Sequence, residues 1–235
     1  MPKKAALALL CLLLGLTVVS APGRAPVFAQ QADVDLTLVL AIDCSFSVDA
    51  NEFRLQMQGL GQAFMRPEVK EAIAKGPNGR IAVAAMQWSD EANQMVIIPW
   101  TVIANDRDAD RLGASLTEIP RRLAEGGTSI SMAIEYAANL FRTAPPSLRR
   151  VIDISSDGRN NIGPPVALSR NRVVKMGITI NALTILNEWP TLDKYFEENV
   201  VGGQGNFVIP ADDYSAYSEG IYRKLLREIT GPGIS

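Results

Sequence analysis

The sequence predicts an α/β fold: one doubly wound, mainly parallel six-stranded sheet with an antiparallel strand at one edge and helices on both faces. Three observations predict it. Short runs rich in Val, Ile and Leu alternate along the chain with longer segments whose apolar residues recur at helical spacing. Two of those runs, 81–88 and 94–103, are separated only by a short polar stretch around Ser89-Asp90-Glu91, which forces them into a hairpin. The run from Val34 to Ile42 is almost continuously apolar and suits a central strand covered on both faces.

The segment before that strand has a different character. Lys3 and Lys4 precede an uncharged apolar run from Ala5 to Val19, and Pro22, Gly23 and Pro26 follow it, which is the layout of a secretory signal peptide. The run is shorter than the ~20 residues of a spanning helix, so no stable membrane anchor is expected. Val27-Phe28-Ala29 presents compact residues for cleavage, giving a signal segment over 1–29, a mature chain from Gln30 and a periplasmic or secreted protein. The folded domain is expected over 33–230, with a frayed tail over 231–235.

After the first strand, Asp49 and Glu52 form a capping box for a helix over Ala50–Met65, with Phe53, Met57, Leu60 and Phe64 on its inner face. Ile81–Trp88 and Gln94–Ile103 are then two buried strands. A helix is predicted over Asp108–Leu123. Beyond Gly126-Gly127, a second helix carries Ile130, Ala133, Ile134, Ala137 and Phe141 on one face until Pro145-Pro146 stops it. Val151–Ser155 and Thr179–Leu186 are strands joined by a helix between Pro165 and Lys175. Phe207–Ile209 is a last short strand, and Tyr214, Tyr217, Ile221 and Leu225 mark a closing helix.

Composition excludes whole classes of chemistry. The 235-residue chain has no histidine, which removes Ser-His-Asp and Cys-His catalysis and His-ligated zinc. Cleavage after Ala29 would remove Lys3, Lys4 and Arg24 and no acid, moving the formal charge from −2 to −5, unsuited to nucleic acid. It would also remove Cys11 and leave Cys44 alone, so the mature monomer has no internal disulfide. Cys44 is expected as a small buried hydrophobe, and Trp88 as a core residue.

In a doubly wound sheet, ligands bind beyond the carboxyl ends of the central strands. The first strand ends in Asp43-Cys44-Ser45-Phe46-Ser47 and the fourth in Ser155-Ser156-Asp157-Gly158, while Gly126-Gly127-Thr128-Ser129 opens the helix between them. These segments offer two carboxylates and several hydroxyls. Hard oxygen donors favour Mg²⁺, Mn²⁺ or Ca²⁺. The alternation Asp43-x-Ser45-x-Ser47 aims three oxygens at one point, and the glycines let backbone approach closely. The plainer reading of each segment is an Asx-turn or helix cap.

Asp43-x-Ser45-x-Ser47, Thr128 after a glycine pair, and Asp157-Gly158 resemble the metal-ion-dependent adhesion site of von Willebrand factor type A domains. The resemblance extends to the element order from about Asp33 to Glu228, and within it to a bacterial group of exported proteins made of one such domain. It implies a Rossmann-like fold and a Mg²⁺ ion held directly by Ser45, Ser47 and Thr128, with Asp43 and Asp157 acting largely through water. It leaves the remaining position for water or for an Asp or Glu side chain of a protein partner, and since no histidine base or tuned nucleophile stands near the site, a binding module without turnover is expected. Phe46, Arg159, Asn160, Asn187 and Glu188 are candidates for a specificity rim. Two other readings stand beside it. A haloacid-dehalogenase-type phosphohydrolase would need a second carboxylate where Ser45 stands, and a metal-free structural protein would ignore chelators.

Overall fold

The computed structural model describes residues 33–231. The expected signal segment and cleavage site, and residues 232–235 of the expected tail, lie outside the described residues. The elements run β1 (Val34–Asp43), α1 (Ala50–Met65), α2 (Pro67–Ala74), β2 (Ile81–Trp88), β3 (Gln94–Ile103), α3 (Asp106–Glu118), α4 (Ile130–Leu140), β4 (Ser147–Ser156), α5 (Val166–Lys175), β5 (Thr179–Ile185), α6 (Leu192–Asn199), β6 (Val208–Ala211) and α7 (Tyr217–Thr230). One six-stranded sheet has the order β3-β2-β1-β4-β5-β6. Every neighbouring pair is parallel except β2 with β3.

The strand alternation of β1 explains the two layers. Leu36, Leu38, Leu40 and Ile42 face α1, α3 and α7, whereas Val39 and Ala41 face α4, α5 and α6. Every residue of β1 is buried, as its apolar run predicts. Each such Leu or Ile removed from water contributes roughly 1.5–3 kcal/mol. Trp88 is fully buried in the second layer. The Asp49–Glu52 capping box is formed as read. Gly59 and Gly61 serve helix packing: a Cβ on Gly61 would lie 2.4 Å from the carbonyl oxygen of Gly113 in α3, and one on Gly59 would lie 3.1 Å from Ser218 Cα in α7.

Several expectations need correction. β3 is no buried run: it is a half-exposed edge strand carrying Pro99, a residue tolerated where no further strand pairs. The helix expected to reach Leu123 stops at Glu118 because Pro120 drives Ile119 into extended backbone. β4 begins earlier than Val151, at Ser147. Two short helices, α2 and α6, went unread; each has few buried apolar positions. Tyr214 lies outside the closing helix, in the loop before it.

Candidate metal centre

β1 and β4 are adjacent and parallel, with Ile42 opposite Ser155, so both strands deliver their carboxyl ends to one edge. Asp43 is the last residue of β1, and Asp157 follows the last residue of β4. The 126–129 segment is drawn to the same edge by two backbone bonds. Phe46 N–H donates to the Gly126 carbonyl at 2.9 Å, and Ser129 N–H donates to the Ser89 carbonyl at 2.8 Å. A Cβ on Gly126 would come within 2.5 Å of Asp90 Oδ2, so the Asp90 side chain would have to move.

Four of the five sequence-identified residues join one hydrogen-bonded chain. Asp43 Oδ1 accepts from Ser45 N–H at 2.7 Å, Ser45 and Ser47 hydroxyls are 3.2 Å apart, and Ser47 Oγ donates to Asp157 Oδ1 at 2.6 Å. Thr128 flanks them: a Cβ on Gly158 would contact Thr128 Oγ1 at 3.4 Å and Ser47 Oγ at 3.8 Å. Asn161 fixes Thr128 by accepting from its N–H at 2.8 Å and by donating its own N–H to the Thr128 carbonyl at 2.9 Å.

Sequence reasoning missed three supporting residues. Ser156 Oγ donates to Asp43 Oδ2, Tyr214 Oη donates to Asp157 Oδ2 at 2.9 Å, and the Arg121 guanidinium donates to the carbonyls of Val48, Cys44 and Ser45. Ser156 was discoverable as a hydroxyl at the same strand end as Asp157. Tyr214 and Arg121 come from distant segments and carry no local signal. Of the rim candidates, Asn160 is spent on structure. Its Oδ1 accepts from Ser131 N–H at the start of α4, and its Nδ2 donates to the Ile162 carbonyl. Phe46, Arg159 and Glu188 do line a cleft of about 840 Å³ over Ser47, Thr128 and Gly158, joined there by Trp189. Phe46 is 77% exposed and Trp189 46%. The Arg159 guanidinium sits 5.0 Å from the Trp189 ring. Asn187 is exposed beside the cleft, with its amide 3.4 Å from Glu52 Oε1.

Electrostatics decide what the centre can hold. Asp43 and Asp157 are both fully buried. Among the described residues, no Lys or Arg forms a salt bridge with either. Burial, and then the nearby charge of Asp157, push Asp43 up to about 7. Burial likewise raises Asp157 above the usual carboxylate range. Two buried carboxylates without a cation are costly when ionised, a cost that a divalent ion would offset. No group of three or more His, Cys, Asp or Glu occurs among the described residues, so the other donors are hydroxyls and backbone oxygens. This set fits a hard cation. Cys44 points away, fully buried, and burial holds its thiol well above its ordinary value.

The family described as "Protein of unknown function (DUF1194)" matches residues 33–233. No curated protein matches the chain. Solved structures do. The von Willebrand factor type A protein from Catenulispora acidiphila is similar at 16% identity and TM-score 0.58, covering 83% of this chain and 43% of that one. Proximal thread matrix protein 1 from the mussel byssus, with a zinc-occupied MIDAS motif, is similar at 17% identity and TM-score 0.60, covering 85% and 49%. The vWF domain of a type V pili tip protein from Porphyromonas gingivalis is similar at 12% identity and TM-score 0.55, covering 87% and 99%. The chain thus spans about half the length of the mussel chain and less of the Catenulispora chain. The shared feature is the fold of a von Willebrand factor type A domain.

Proposed function

From a chain that belongs to the DUF1194 family and has the fold of a von Willebrand factor type A domain, we propose an exported binding module that holds a protein partner through a divalent metal, Mg²⁺ first, with Mn²⁺ and Ca²⁺ as the other oxygen-preferring ions. The observation that carries this reading is the pair of buried carboxylates, Asp43 and Asp157, set among hydroxyls with no cation of the protein's own. Ser45, Ser47 and Thr128 hold the ion through their hydroxyls. Asp43 and Asp157 supply the counter-charge largely through water, oriented by Ser156 and Tyr214. An ion held there would supply an electrophilic position for an incoming Asp or Glu side chain. Arg121 keeps the 44–48 turn in place by holding its carbonyls.

Specificity belongs to the cleft above, where Phe46 and Trp189 present apolar surface and Arg159 and Glu188 present charge. The zinc-occupied motif of the mussel protein and the pilus-tip origin of another fold relative support a metal-dependent adhesive role. The chemistry on hand argues against turnover, since the chain has no histidine and Ser45 stands where a phosphohydrolase needs its second carboxylate. The test is affinity capture from the native envelope or medium in Mg²⁺, in EDTA, and with a Thr128→Ala bait. The bait is isolated by export, and its intact mass is expected to place the first residue at Gln30. A partner retained only by wild type in Mg²⁺ is the expected result. Retention indifferent to both EDTA and Thr128→Ala would sink the proposal, and metal-dependent phosphate release from a generic ester would replace it with the hydrolase.

A further inference from the structure

A cavity of about 480 Å³ opens at the other end of the sheet from Asp43 and Asp157. It lies between the starts of β4 and β5, the 204–207 loop and the last turn of α7. Its floor is polar and almost dry, with Asn181 and Glu228 each only 2% exposed. Glu228 Oε1 accepts from Lys224 Nζ at 2.7 Å and from Asn181 Nδ2 at 2.9 Å. Glu228 Oε2 is buried and has no partner among the described residues. A buried oxygen left in that state calls for a bonding group that these residues do not provide.

The walls carry three arginines. Arg149 donates to the carbonyls of Glu228 and Ile229 at 2.6 and 2.7 Å, Arg150 donates to the Met176 carbonyl, and Arg227 lies over the Phe207 ring at 3.9 Å. A guanidinium has five N–H donors in a planar fork. These bonds use two on Arg149 and one on Arg150, and stacking on Phe207 leaves the edge of Arg227 open. Among the described residues, Glu228 is the one acid of the lining, on a chain whose formal charge is −2. Burial, and then the charge of Asp153, push Glu228 up to about 8, so it gives up its proton less readily than an ordinary carboxyl. The donors open to a ligand are those of the wall arginines. Phe207, Ile178 and Val174 add an apolar side.

We propose that this cavity binds a small organic anion, a carboxylate or phosphate ester, gripped by Arg150 and Arg227 at the mouth with its apolar body against Phe207 and Ile178. The volume falls in the range of small-molecule sites, roughly 300–1,000 Å³, and exceeds what a bare inorganic anion fills. Guanidinium forks match carboxylate and phosphate oxygens in pairs. This site is separate from the candidate metal centre and does not depend on it.

The experiment titrates isotope-labelled protein with benzoate, phenyl phosphate, inorganic phosphate and uncharged benzyl alcohol at constant ionic strength, following amide resonances. Saturable shifts are expected with benzoate or phenyl phosphate at Gly177, Gly205 and Gly231, which line the cavity. Which of the two binds more tightly identifies the head group. Binding should weaken about tenfold or more in Arg150→Ala/Arg227→Ala, whose side chains are exposed and whose loss leaves the core intact. Thr128→Ala should bind like wild type. The inference is overturned by an absence of saturable shifts in wild type with either organic anion, or by equal binding in the double variant. It is also overturned by benzyl alcohol or inorganic phosphate binding as tightly as the organic anions.

Discussion

Asp153 and Glu228, between β4 and the inner face of α7, are nearly as deeply buried as Asp43 and Asp157 at the carboxyl ends of the strands, yet the two pairs differ in what stands beside them. Lys224, fully buried, places Nζ 2.7 Å from Asp153 Oδ1 and 2.7 Å from Glu228 Oε1. The upper pair has only hydroxyl and backbone donors, from Ser45, Ser47, Ser156 and Tyr214. Where the chain carries its own cation, the charge cluster is a fixed internal brace tying α7 to β4. Where the described residues supply none, buried acid lacks a counter-charge, and the proposed metal would provide it. Burial of acids is therefore not what marks a metal centre; burial without a counter-ion is.

The sharpest way to break this contrast is Lys224→Met. Removing one partner of a buried ion cluster leaves charge uncompensated, at a cost of about 3–5 kcal/mol. Urea melts should show that loss equally with and without Mg²⁺. A loss under about 1 kcal/mol would mean that Asp153 and Glu228 are neutral on their own account and that Lys224 is no brace.

Much of the upper site was legible in the sequence and almost none of the lower one. Asp43, Ser45, Ser47 and Asp157 stand at the ends of apolar runs, so strand polarity alone brings them to one edge. Lys224 and Glu228 look like an ordinary exposed i,i+4 pair until they are seen to share the face of Tyr217, Ile221 and Leu225. Asp153 and Asn181 interrupt two apolar strands at positions that prove to be directly opposite each other, a pairing that needs the strand order to be known. The end of α3 at Glu118 has a local cause that the sequence displays, the proline at position 120. The place of Tyr214 in the upper site has no such local signal, because its partner Asp157 lies 57 residues away.

A smaller effect separates the two clusters by charge. Without metal, Asp43→Asn should be as stable as wild type or more so, since it removes a buried charge that lacks a counter-ion. At a Mg²⁺ concentration a hundred times Kd, wild type should gain about 2.7 kcal/mol and the variant almost nothing. The pH dependence follows from the same cause. Asp43 is pushed up to about 7 from 3.8, so between those values the folded state holds a proton that the unfolded state has released. Metal-free stability must then fall as pH rises from about 4 to about 7, and the Mg²⁺ increment must grow over the same window. Glu228, pushed up to about 8, adds a slope of the same sign, so the quantity to read is the difference between wild type and Asp43→Asn. A metal-free difference that rises with pH would show that Asp43 ionises without penalty.

The smallest effect tests whether the closing segment participates in the upper site at all. Tyr214 reaches Asp157 Oδ2 from the loop between β6 and α7, while Ser47 occupies Oδ1 on the other side. Tyr214→Phe removes one hydroxyl donor and little volume, so its cost should be near 1 kcal/mol, the net value of a single hydrogen bond. Asp157 keeps Ser47 but loses its second anchor, and a carboxylate free to turn binds Mg²⁺ a few-fold more weakly. Calorimetric titration of Mg²⁺ into wild type, Tyr214→Phe and Asp157→Asn ranks the possibilities. An intermediate affinity for the tyrosine variant makes Tyr214 a positioning residue. Wild-type affinity would show that Ser47 orients Asp157 alone, and a loss as complete as that of Asp157→Asn would place the phenol oxygen in the metal site itself, joining the loop before α7 directly to whatever the centre binds.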